Sequence, residues 1–175
     1  MRLGTVSARV RCVFSALVLS ALGTSWGCTS AVDRTTDAAA ARSAVDDFWQ
    51  AIGKQDIGLL STVVAEDDEI VVFGTDAAER WVGSAAYLAA EHQMMQVFDV
   101  KNLTRRDETL RIGKAADVAW FSTVFDIEVE IDGEAARYEG LRTTGVMEKR
   151  GDRWVIVQSH TSVPVAGQQV EYRSE

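Results

Sequence analysis

A chain of 175 residues with 47% hydrophobic content suits one globular domain and needs no second. The formal net charge is −8, and because Arg2, Arg9 and Arg11 stand without an acid in the first 28 residues, the rest of the chain is more acidic still. That balance argues against nucleic acid, which selects for basic stripes that neutralise phosphates; it describes an acidic surface that keeps a domain in solution.

At the N-terminus the three arginines precede an apolar run, residues 12–22, which is shorter than the roughly 20 residues of a membrane-spanning helix. It reads as the apolar stretch of an export signal. Ser25-Trp26-Gly27-Cys28 follows, and a small residue directly before a cysteine resembles a bacterial lipobox, in which Cys28 is acylated and becomes the new N-terminus. Ser25 stands where that motif usually carries an aliphatic residue, so an ordinary signal peptide cut near Gly27 is the alternative. Residues 1–28 are thus a signal, 29–37 a small polar tether, 38–166 the folded domain and 167–175 a tail. The expected location is the cell envelope, held to the membrane by an N-terminal lipid, or otherwise secreted. Cys12 and Cys28 are the two cysteines, which leaves none for a disulfide or a metal site in the domain.

Within the domain, Ala41, Val45, Phe48, Trp49 and Ile52 fall at helical spacing and give one apolar stripe ending near Gly53. Asp56 is placed to cap a shorter helix carrying Leu59, Leu60, Val63 and Val64. A short β run over 70–73 and the turn Gly74-Thr75-Asp76 lead to Trp81 and Val82. Ser84 is placed to cap a third helix, with Leu88 and Met95 on one line and Tyr87, Met94 and Phe98 on the next. Met94 and Met95 read as core filler. The pattern then changes to period two: Leu110 and Ile112 in one strand, 118–131 in a second, the hairpin signal Asp132-Gly133, 137–149 in a third, the turn Gly151-Asp152, and 153–163 in a fourth closed by Pro164. Two helices, a short β unit, a third helix and an antiparallel meander predict an α+β domain with its helices on one face of the sheet.

Several local motifs in this order carry a resemblance: Phe73-Gly74-Thr75-Asp76 with Glu79, Trp81 and Gly83; Asp117-Val118-Ala119-Trp120; Arg142 and Thr144; and Trp154, His160, Ser162 and Pro164. Together they resemble the SnoaL-like branch of the nuclear transport factor 2-like superfamily, over residues 40–165. The resemblance implies a cone-shaped fold, three helices on a strongly curved, mainly antiparallel sheet, with a pocket at the wide end. That family includes isomerases, cyclases and dehydratases beside non-catalytic association domains, so fold leaves function open.

Alternation on the last strand groups His160 and Ser162 with Gln158, Ile156 and Trp154, while Arg142 and Thr144 share a face of the strand before it and Trp120 lies on the strand before that. If the His160 face looks inward, the pocket gains a proton-transfer histidine and an arginine able to grip an anionic oxygen, with Asp76 and Glu79 on a loop at the mouth. The predicted site is then His160 and Asp76 for acid–base chemistry, with Arg142, Thr144, Trp81, Trp120, Glu79 and Ser162 for ligand contact. Each has a structural alternative: a hydrogen-bonded strand histidine, an arginine paired with an internal acid, tryptophans as packing, and Asp76 and Glu79 as turn residues. Tyr87, Tyr138 and Tyr172 are not obviously paired with two buried carboxylates, which argues against the Tyr and Asp arrangement of steroid isomerases. With His92 and His160 the only histidines, and no glycine-rich phosphate loop or nucleophile elbow, no cofactor or metal is expected. The leading expectation is an exported, homodimeric binder of a small, partly apolar, anionic or neutral ligand. A cofactor-free lyase, isomerase or hydrolase and a non-catalytic association module are the alternatives.

Overall fold

The computed structural model describes residues 34–167, so the expected export signal, Cys28 and the last eight residues lie outside the described region. Helices α1 (Arg34–Lys54) and α2 (Ile57–Val63) are followed by strands β1 (Val71–Phe73) and β2 (Arg80–Val82). Helix α3 (Ser84–Val97) then leads into β3 (Phe98–Ile112), β4 (Val118–Ile131), β5 (Glu134–Arg150) and β6 (Arg153–Ser162). The strands form one open, curved sheet in the order β2-β1-β6-β5-β4-β3. It is mixed, because β1 runs parallel to β6 while the other pairings are antiparallel.

The stripe of α1 is buried as its spacing requires, with Ala41, Val45, Phe48 and Trp49 against Phe121, Phe125, Leu141 and Met147 of the sheet. Phe48 meets Trp49 edge-on at 5.1 Å between ring centroids, and Trp49 lies 4.7 Å from Phe125. In the ladder Phe121 faces Gly145. A Cβ on that glycine would stand 2.4 Å from the Phe121 ring, so the ring lies over bare backbone there.

Helix α1 begins at Arg34, inside the stretch expected to be a tether. Asp37 is buried and paired with Lys149 of β5, which anchors a first turn whose small polar residues give no apolar signal. One turn apart, Arg42 and Asp46 meet Glu108 (3.3 Å) and Arg105 (3.1 Å) of β3. Asp56 caps α2 as expected, its carboxylate accepting from the Leu59 N–H at 2.9 Å. Before it Gln55 takes a left-handed backbone, φ 56°. Its amide donates to the carbonyls of Met95 (2.8 Å) and Phe98 and its oxygen accepts from the Val100 N–H, clamping the α1–α2 turn to the α3–β3 junction.

Gly83, φ 85°, rather than Ser84 occupies the N-cap of α3. The Ser84 hydroxyl instead accepts from the Asp67 N–H. The Asp132-Gly133 turn has φ 51° and 84°, the two positive angles of a type I′ hairpin. Bulges bend the long strands: two in β3, between Val100 and Asn102 and between Arg106 and Thr109, one in β5, where Glu139 and Gly140 together oppose Asp126 of β4, and one in β6, where Val157 is the extra residue. At the β5 bulge Asp126 accepts from the Gly140 N–H (2.7 Å) and from Arg106 (2.6 Å). Those bonds hold its carboxyl below the usual range, the Arg106 guanidinium first and the amide second.

Candidate functional site

Between α1, α3 and the concave side of the sheet lies a cavity of about 270 Å³. Its walls are mainly apolar: Phe48 and Trp49 from α1, Tyr87 and Met94 from α3, and Phe125 and Leu141 from the sheet. Trp81 enters from β2 because it pairs with inward-facing Val72, and its ring lies 6.0 Å from that of Tyr87. Thr143 and Thr161 join hydroxyls at 2.8 Å on the sheet floor beside Ser159.

Two carboxyl groups reach this cavity. Glu79 folds across the loop after β1, where its Oε2 accepts from the backbone N–H of Thr75 (2.6 Å) and Asp76 (2.9 Å) and lies 3.3 Å from the Thr75 hydroxyl. The fold-back needs Gly74, on which a Cβ would stand 2.2 Å from the same oxygen. Glu91 lies one turn after Tyr87 on α3, and both line the cavity. Desolvation raises the Glu91 carboxyl to about 7; the neighbouring Tyr87 hydroxyl opposes the rise and the Glu79 charge adds to it. Tyr87 is held well above its ordinary value by burial, then by Glu91. Neither Glu79 nor Glu91 forms an ion pair among the described residues, and no Lys, Arg or His lines the cavity. A carboxyl that titrates near neutrality in an apolar wall can hold or pass one proton, or meet a polar group brought in by a ligand.

Of the predicted site residues, Glu79 and Trp81 line this cavity, and Asp76 sits exposed on the rim loop, its carboxylate accepting from the Ala78 N–H. The other five lie on the opposite, convex face. The ladders pair Thr144 with His160, Arg142 with Ser162 and Trp120 with Val146, whereas Thr143 with Thr161 and Gly145 with Ser159 face inward. The condition that the His160 face looks into the cone is therefore not met. Its reason is the Val157 bulge: Ile156 pairs with inward Met147, but one residue out of step Gln158 pairs with outward Val146. Alternation counted through Trp154 and Ile156 thus reaches His160 on the wrong side. On the convex face His160 is exposed and stands edge-on to Phe73 at 5.7 Å. Arg142 is exposed and donates to the Val163 carbonyl at 3.3 Å. His92 of α3 is exposed.

The sequence reading missed Tyr87 and Glu91 as a pair. The signal was present: Tyr87, Met94 and Phe98 form one apolar line of the third helix, and Glu91 falls on it. An acid on a core-facing line is the anomaly that marks a site.

Among solved structures, the chain is similar to a nuclear transport factor 2-like superfamily protein from Salmonella enterica serovar Typhimurium. Identity is 16%, TM-score 0.66, and the match covers 79% of this chain and 99% of that one. A candidate dehydratase of the NTF2-like family from Streptomyces avermitilis matches at 18% identity and TM-score 0.61, over 75% of this chain and 99% of that one. A candidate calcium/calmodulin-dependent protein kinase type II association domain from Thiobacillus denitrificans matches at 24% and 0.55, over 71% and 94%. At such identities these likenesses show the cone fold alone. No curated protein matches the chain. The model of the SnoaL-like domain family matches residues 41–166, and the chain belongs to that family.

Proposed function

We propose that this SnoaL-like domain binds a compact, largely apolar molecule in its cavity, with one polar group of that molecule meeting the Tyr87–Glu91 pair. The observation that carries this is the cavity itself, aromatic-walled and holding a carboxyl that titrates near neutrality. Its size suits a ligand of one ring and a short chain, since about 150 Å³ of apolar space accepts a benzene. An anionic head group, the expectation that rested on Arg142, finds no cationic side chain among the lining residues. Binding of single-ring compounds, followed by tryptophan fluorescence, tests the reading against Thr161→Trp, which projects an indole from β6 into the same space. Saturable quenching in the parent and none in the variant supports it; quenching of equal strength in both overturns it.

A cofactor-free acid–base reaction is the second reading, favoured by Glu91 alone. Its residues are Glu91 and Tyr87 in place of His160 and Asp76. Turnover centred near pH 7 and lost in Glu91→Gln supports it.

The export signal, Cys28 acylation and an envelope location belong to the same proposal, resting on the sequence of residues 1–28. Among the described residues no helix is long and apolar enough to cross a membrane. Homodimerisation rests on the convex face, which carries exposed Phe73 and Trp120 beside His160, Arg142 and Thr144.

A further inference from the structure

The cavity is one-sided in charge. Glu79 and Glu91 face it, no basic residue does, and neither acid has an ion-pair partner among the described residues. Buried acids ordinarily sit with a guanidinium or ammonium, because an isolated carboxylate away from water is costly. Glu79 is half-buried and answered at one oxygen only: the Thr75 and Asp76 N–H groups donate to Oε2, while no cationic group among the described residues pairs with it. The walls around the two acids are aromatic, with Trp81 and Tyr87 ring to ring and Trp49 against Phe125. Ring faces attract cations and repel anions. Two acids, aromatic faces and no internal cation make a chamber that lacks one positive charge.

The geometry points to a protonated amine on an apolar body as the ligand, its ammonium against Glu79 and Glu91 and its ring on the Trp81–Tyr87 wall. This rests on the cavity-binding reading and adds the charge class. An ammonium carries up to three N–H donors and suits acceptor-only carboxylates, where an alcohol offers one and a carboxylate none. Entry of a cation also drives Glu91 to its ionised form. Below about pH 7 binding then expels a proton, and affinity rises with pH until the amine itself loses its charge.

The test uses the full chain and three probes of similar size: 2-phenylethylamine, 2-phenylethanol and 3-phenylpropanoate, titrated at pH 6 and pH 8 by calorimetry. The expected result is an amine preference over the alcohol of about tenfold at pH 8, with the carboxylate weakest. Proton release should accompany amine binding at pH 6, read as a dependence of the heat on buffer ionisation. The preference should shrink to within about threefold in Glu91→Gln, whose melting temperature reports that the domain is folded. If the alcohol or the carboxylate binds as tightly as the amine, the amine assignment falls and the cavity reading stands. If no probe binds, or if Thr161→Trp binds all three as the parent does, both fall.

Discussion

Glu91 gives the domain a pH dependence whose sign follows from its carboxyl lying above its unfolded value. The native state keeps a proton that the unfolded chain gives up near pH 4.5, so the stability tied to this proton is full below that pH. It is lost as pH rises to about 7. The loss is at most about 3 kcal/mol, since one pKa unit is worth about 1.4 kcal/mol and Glu91 keeps some solvent contact. Thermal melts at pH 5 and pH 8 should show a larger drop in the parent than in Glu91→Gln, and equal drops would remove Glu91 from this role. Arg142 behaves oppositely. It is exposed and among the described residues bonds only to the Val163 carbonyl, so Arg142→Met should change stability by less than about 1 kcal/mol in denaturant melts. A loss of several kcal/mol would reveal an internal acid partner. Trp81 and Glu79 were legible because they sit beside turn residues that name their loop. Glu91 was hidden because its helical line looked complete without it.

Among the elements, the helices and hairpins could be read from spacing and turn chemistry: Asp56 caps where a cap was due, and Asp132-Gly133 turns with the angles its residues favour. What alternation alone could not give was the face of each strand, because a single inserted residue reverses it, and Val157 carries no mark among Val155, Ile156 and Gln158. Grouping still survived: Arg142, Thr144, His160 and Ser162 do share a face, the convex one. The start of α1 was invisible for a related reason. Its first turn is held by the Asp37–Lys149 pair across 112 positions of sequence, not by apolar spacing. Asp37→Ala leaves Lys149 without its acid and should cost about 1–3 kcal/mol in a chemical denaturation curve, with fraying of the first α1 turn seen as faster amide exchange. Unchanged exchange there would mean that the turn holds by backbone bonds alone.

For the molecule as a whole, the cone separates two surfaces with different work, a concave one that encloses the cavity and a convex one that is open. The proposed second copy rests on the open side, where Trp120 is 49% accessible and Phe73 is exposed. Trp120→Glu should leave the melting temperature within a few degrees while shifting sedimentation from dimer to monomer at micromolar concentration. A parent that already sediments as a monomer would end the dimer proposal. The N-terminal proposal is checked by mass spectrometry of protein from its native membrane: a lipid on Cys28 supports anchoring, and a free N-terminus further along supports secretion.

The bulges of β3 have one more effect. Among the described residues this strand is the long free edge of the sheet, fifteen residues, while the other edge, β2, has three. Its two irregularities divide it into regular stretches 98–100, 102–106 and 109–112. Lys101 lies at the first break, and Arg105, Arg106, Asp107 and Glu108 crowd the second. No stretch reaches the six or seven residues that stacked strands of fibrils typically share. A neighbouring chain that tried to zip onto this edge would lose register within a few hydrogen bonds, so the one border long enough to seed polymerisation is broken into pieces too short to do so.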